Sequence, residues 1–467
     1  MRNSDSYQIA LQRGRRFGKE HGVPFQNSCP LRAKSDYDLH RERVVEERIM
    51  SERKRFSGLA MFLPGILVAA TGVGSGDLLT ASIGGAEAGL VILWAAGVGA
   101  LLKWALNEGI ARWQLATGTT LLEGWLTKLG SWIQWLFMPY FLLWTVMTGG
   151  AMISGCGVAG AGLIPIGDPT TSRIVWGIIH SLVGLALVWI GGFPVFEKMM
   201  AVCIGVMFVG VLITAVLLGP DWSAVVSGVF VPTVPSGGSP WVLGILGGVG
   251  GTVTLLAYGY WIRETGREGE SGVRICRLDL GVAYTLTALF GMAMVIIGSR
   301  ITVTGQGSQM AVQLADQLGL VLGPFGKWAF LLGFWGAVFS SLLGVWQSTP
   351  YLFADFYTLR RQRLYGEARP KDLSRTAAYR WYLVAIAIVP LGLLWGTVRQ
   401  VQLAYAVMGA LFMPLLALTL LILNTQGRLV GERFRSGWLV NALLVATLAL
   451  FGYMGFLQLT GRLSGSG

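Results

Sequence analysis

Thr71-Gly72-Val73-Gly74-Ser75-Gly76-Asp77 interrupts the first hydrophobic run of the chain, and the reading of the fold starts there. A helix that crosses lipid must pair every backbone N–H and C=O within itself. A glycine-rich break with a carboxylate at membrane depth makes sense only where the backbone unwinds inside protein and lines a cavity. A second break, Gly247-Gly248-Val249-Gly250-Gly251-Thr252-Val253-Thr254, lies in a later hydrophobic run. Paired glycine-interrupted segments at corresponding places in two halves of a chain point to the substrate site of a secondary transporter.

Composition agrees. Hydrophobic residues make up 53% of the 467 residues and charged residues 13%, with a mean hydropathy of +0.60. Soluble domains carry about 25% charged residues, so this is a polytopic membrane protein. The net charge of +12 does not indicate nucleic acid, because the basic residues lie in tails and loops beside apolar runs. Cys29, Cys156, Cys203 and Cys276 show no metal-ligand spacing and read as unpaired thiols. No cofactor loop or nucleophile–base pair suggests an enzyme, and no cofactor is expected.

Residues 1–57 are polar, rich in both signs of charge, and without the apolar core of a secretory signal. They read as a largely disordered cytoplasmic tail, with a charged surface helix over 38–55 and with Met50 or Met61 as alternative starts. Eleven spans follow near 59–84, 88–115, 132–159, 173–191, 195–218, 241–262, 276–299, 326–350, 379–396, 401–424 and 437–458. With the N-terminus in the cytoplasm, the inner loops receive Arg263, Arg267, Arg274 and Arg277, the seven basic residues from Arg360 to Arg380, and Arg428, Arg433 and Arg435. The outer side keeps Arg173, Arg300, Lys327, Arg399 and Arg462. The positive-inside rule therefore supports this orientation, in the cytoplasmic membrane, with the C-terminal residues 459–467 outside.

Five spans per half give the halves opposite topology, and each half opens with its broken helix. The transporter domain at 58–458 thus divides into one repeat at 59–218, a second at 241–424 and an extra helix at 437–458, joined by a Gly-, Pro- and Ser-rich loop at 219–240.

Leu63-Pro64-Gly65-Ile66-Leu67-Val68-Ala69-Ala70, the break, and Gly89-Leu90-Val91-Ile92-Leu93-Trp94 together resemble the first helix of the Nramp divalent-metal transporters. The similarity runs on through Ala111-Arg112 to Thr117-Gly118, and returns at Leu342-Leu343-Gly344 and Met413-Pro414-Leu415. The resemblance implies an all-α, LeuT-type inverted repeat and transport by alternating access. It also marks departures. The family's Asp-Pro-Gly-Asn motif reads Gly74-Ser75-Gly76-Asp77 here, its Met-Pro-His motif falls on Thr254-Leu255-Leu256, and a further histidine position is Trp261. The third span contains no acidic residue where the family's proton route has acids.

A cation site would combine Asp77, the Thr254 hydroxyl and unwound carbonyls at Gly72, Gly74 and Val253. These ligands are all oxygen, which suits hard ions such as Mg²⁺ or Mn²⁺ over softer metals. The lesser reading makes Asp77 an N-cap alone, for the N–H groups of Leu79 and Thr80, and capping and ligation can coexist. Ser75, Lys103, Glu108 and Tyr258 are substrate or coupling candidates. Lys103, halfway along the second span, stands in for a bound cation or simply pairs with Asp77 or Glu108. Glu108 and Arg112, one helical turn apart, read first as a structural ion pair. The aromatic end at Tyr258–Glu264 reads as a gate or an interfacial belt, and His180 as a satisfied core residue. Two other readings stay open: a carrier of a small organic solute, or a transport-inactive sensor whose tail and basic 357–380 loop contact partners or anionic lipid. The expected partners are a transported ion or solute and membrane lipid.

Overall fold

The computed structural model describes residues 74–464 except 75, 131, 192–193, 249, 265–266, 303–306, 308, 367 and 371. The 1–57 tail and most of the first expected span lie outside the described residues. Among the described residues every regular element is a helix.

Each expected span from the second onward coincides with a helix. They are Leu93–Thr117, Trp132–Leu163, Pro169–Ile190, Pro194–Leu217, the broken pair Ser239–Gly248 and Ala257–Glu264, and Gly269–Gly298. The eighth span occupies the later part of Met310–Tyr365; Ala377–Ile388 with its 3₁₀ continuation, Val398–Asn424 in two segments, and Trp438–Ser464 complete the set. Of the first span, a π-helical turn at Gly76–Thr80 and the helix Ala81–Ala88 are described.

Local chemistry sets the ends. Asp168 caps the fourth span by accepting from the N–H groups of Thr170 and Thr171, with Pro169 in the first turn. The hydrogen bonds from Thr171 hold its carboxyl below the ordinary range. Thr397 and Gln400 form a reciprocal capping box at the tenth span. The second span stops at Gly118, which is left-handed with φ 69°.

Burial sorts the spans. In the sixth, 94% of the most apolar window is buried within the protein, against 28% in both the fourth and the eleventh. The sixth span is therefore central and the other two are peripheral. Their exposed apolar side chains, such as Ile190 and Trp438, suit a lipid surface. Small residues let the central helices approach closely. A Cβ at Gly149 would lie 2.6 Å from the Pro390 ring, and one at Gly99 would lie 3.2 Å from the Leu246 Cα.

Two expectations are corrected, for the 219–240 connection and for Arg173, and one helix is added to the expected set. The 219–240 connection is not all loop: Trp222–Phe230 is a helix capped by Asp221, bent by 116° from the fifth span. Its Gly228 is buried against the backbone carbonyl of Leu90, which docks the helix where composition suggested a linker. A helix also precedes the eighth span from Met310, separated from it by the left-handed Gly323 at φ 65°. Arg173 is no loop charge. It is fully buried at the start of the fourth span and donates to Ser154 Oγ and to the carbonyl oxygens of Leu394 and Gly396.

Candidate functional site

The two breaks meet. A Cβ at Gly76 would lie 2.7 Å from the carbonyl oxygen of Gly248 and 3.3 Å from the Tyr405 ring. The π-helical turn of the first span therefore passes directly against the end of Ser239–Gly248, at a distance only glycine allows. Leu78 N–H closes this turn on the Gly74 carbonyl at 3.0 Å.

On the other side of the second break, Gly250 and Gly251 take φ values of +79° and +87°, which side-chain-bearing residues avoid. Thr252 follows, and its hydroxyl accepts from the Trp144 indole of the third span at 2.9 Å. A 3₁₀ turn, Val253–Leu256, then leads into Ala257–Glu264. The tenth span closes the site: a Cβ at Gly247 would lie 2.7 Å from the Ala410 Cα, and one at Gly409 would lie 2.4 Å from the Thr252 methyl.

Lys103 reaches this junction from the second span. Its ammonium donates to the Gly247 carbonyl at 2.8 Å, and the residue is 1% exposed. One turn along, Asn107 donates to the Tyr284 hydroxyl at 2.8 Å.

The model of the natural resistance-associated macrophage protein-like family, Nramp, matches residues 65–460. The chain belongs to the Nramp family. Among solved structures it is similar to two mutants of the Eremococcus coleocola manganese transporter, each 19% identical with a TM-score of 0.62. It is also similar to that transporter bound to an aromatic bis-isothiourea substituted compound, at 20% identity and a TM-score of 0.60. Each comparison covers 87% of both chains. A comparison with curated protein sequences gives no match. The fold is the LeuT-type inverted repeat with its extra helix, the architecture expected of an Nramp chain.

Within that architecture the expected site residues separate. Gly74 lies at the first break and is buried; Gly72 and Ser75 lie outside the described residues, and of Asp77 the backbone in the π-helical turn is described. Val253 is buried and Thr254 half-buried in the 3₁₀ turn. Thr254 and Lys103 thus flank the same break. Among the described residues no group of three or more His, Cys, Asp or Glu side chains gathers there.

Glu108 and Tyr258 belong to other networks. Glu108, 1% exposed, pairs with Arg112 and accepts from Arg277 Nε at 2.9 Å. Arg112 in turn donates to the carbonyl oxygens of Phe434 and Arg435, tying the second span to the segment before the eleventh. Tyr258 donates to Asp279 Oδ2 at 3.1 Å, which also pairs with Arg267 at 2.9 Å. His180 is satisfied at both ring nitrogens: Nε2 accepts from the Trp335 indole at 2.8 Å, so Nδ1 carries the proton given to the Trp176 carbonyl.

Two buried carboxylates escaped the sequence reading, Asp279 and Asp355. Asp355 accepts from the Tyr260 hydroxyl at 2.6 Å and pairs with Arg369, which also reaches Glu123 at 3.4 Å. Their signal was an acid within or beside an apolar run, the same signal that marked Asp77.

Proposed function

We propose that this Nramp-family chain is a secondary transporter that moves a hard divalent cation, such as Mg²⁺ or Mn²⁺, by alternating access at the junction of its two broken helices. The observation that carries the reading is the backbone contact of Gly76 with Gly248, which brings both unwound segments to one place. The cation would take oxygen from Asp77, the Thr254 hydroxyl, and the carbonyls of Gly72, Gly74 and Val253. Hard ions favour such a set. That structural relatives are manganese transporters agrees with it. The usual proton route of the family is not expected to serve, because its third-span acids and sixth-span histidines are absent from the sequence. The asymmetry of basic loops favours the cytoplasmic membrane with the N-terminus inside.

One observation favours a second reading, a small organic solute. The Lys103 ammonium already sits on the Gly247 carbonyl, and a fixed positive charge beside the site opposes a second cation. Uptake of Mn²⁺ and Mg²⁺ into sealed proteoliposomes separates the two. The expected result is uptake by the parent and none by Asp77→Ala of equal folding. Absence of both ions from vesicles bearing folded parent would remove the cation reading. A solute that raises the melting temperature and enters the vesicles would replace it.

A further inference from the structure

The sixth span ends its first half in an unusual way. Helix Ser239–Gly248 stops inside the protein, just before the left-handed Gly250 and Gly251, and the last carbonyls of any helix lack an intrahelical partner. These oxygens are the negative end of the helix dipole and attract a cation. The cation in this structure belongs to the chain. Lys103 Nζ donates to the Gly247 carbonyl at 2.8 Å, from a side chain that is 1% exposed.

The second span is fitted to deliver it. Gly99, one turn earlier, brings the two backbones together against Leu246. Beyond the ammonium, a Cβ at Gly250 would meet Thr287 at 3.2 Å, Tyr284 at 3.4 Å and the Lys103 stem at 3.7 Å. Asn107 Nδ2 holds the Tyr284 hydroxyl, while Asn107 Oδ1 accepts no hydrogen bond. The stem therefore passes Gly250 beside the Thr287 methyl and the Tyr284 ring edge, an apolar sleeve that leaves the ammonium to the Gly247 carbonyl at its end.

We propose that the Lys103 ammonium is a tethered cation that holds the sixth-span break as a bound Na⁺ or K⁺ would, so that this position needs no inorganic ion. Lys103 is then a positioning residue for the carrier junction. The inference rests on the carrier reading for its uptake readout alone, since its stability readout stands without transport.

The test uses the purified full-length chain, melted in chloride salts of Na⁺, K⁺ and N-methyl-D-glucamine. The parent should melt at one temperature in all three and transport equally in each. Lys103→Ala should lose roughly 5 °C in N-methyl-D-glucamine. Na⁺, K⁺ or propylammonium should restore at least half of that loss. Lys103→Met fills the space without charge, so it should stay destabilised whatever cation is added. A parent whose melting depends on Na⁺ or K⁺ would overturn the proposal, as would a folded Lys103→Ala that no cation restores, or a Lys103→Met that melts like the parent. If Lys103→Ala can be recovered only with propylammonium in every buffer, that recovery supports the tether, and failure to recover it even so overturns it. A parent that carries no tested substrate would defeat the carrier reading and leave these melting results decisive.

Discussion

Gly76 and Gly250 are glycine for different reasons, and their substitutions should differ accordingly. Gly250 needs the left-handed backbone, at φ +79°, so alanine there carries the intrinsic conformational cost of about 1–2 kcal/mol. The neighbouring Thr287 methyl, at 3.2 Å from the added Cβ, has to give way as well. Gly76 has no such backbone constraint; its added methyl would meet the Gly248 carbonyl, which belongs to a helix end and cannot swing aside. Gly250→Ala should therefore lower the melting temperature by a few degrees and keep measurable uptake. Gly76→Ala should push the two breaks apart and abolish uptake out of proportion to its effect on melting. Melting curves and proteoliposome uptake on the same preparations check both, and equal loss of uptake and stability in the two variants would refute the distinction. Clustered glycines in an apolar run announced both breaks from sequence, because lipid tolerates unwound backbone only in a cavity. That the breaks touch was not legible, since contact between residues so distant along the chain depends on packing.

At the scale of elements, the helix Ala257–Glu264 is held on two sides by tyrosines, each of whose hydroxyls donates to a carboxylate that an arginine also binds. Tyr258 binds Asp279 of the seventh span, which Arg267 neutralises. Tyr260 binds Asp355 at the end of the eighth, which Arg369 neutralises. Asp355 is fully buried, whereas Arg369 is 29% exposed, so the two partners are not equivalent. Removing the arginine strands a buried charge; removing the charge leaves a surface arginine beside Glu123 with little penalty. Arg369→Ala should cost about 2–3 kcal/mol, reduced from the 3–5 kcal/mol of a fully buried pair by the solvent that reaches the guanidinium. The double variant Arg369→Ala/Asp355→Asn should recover part of that loss, and a double variant less stable than Arg369→Ala would contradict the account. Tyr258 was visible in the sequence as an aromatic at the end of a span. Its role was not, because its partner lies in the next span, and the helical periodicity of an apolar run does not say which neighbour an isolated acid will face. The helix at 222–230 was hidden for a related reason: its flanking Gly, Pro and Ser residues look like linker until Gly228 is seen against Leu90.

For the whole molecule, the positions and order of the spans from the second onward were legible because lipid imposes a length on each. Identity of the cargo was not, because it depends on a few atoms at one junction. Coupling follows from what the molecule places between its two faces. The third span, Trp132–Leu163, contains no Asp, Glu, His, Lys or Arg, and the broken sixth span contains no histidine. The buried carboxylates described beyond the junction, Glu108, Asp279 and Asp355, are each bound to at least one arginine. A guanidinium stays charged at every physiological pH and favours the ionised carboxylate, so these acids are poor stations for a travelling proton. Substrate influx should therefore proceed passively and depend weakly on pH. The measurement is the internal pH of proteoliposomes during uptake, with Lys103→Met in parallel as the other titratable group at the junction. Internal pH should stay level while substrate enters. Steady acidification in the parent that vanishes in Lys103→Met would make the lysine a proton carrier, and would replace passive transport with coupling through the second span.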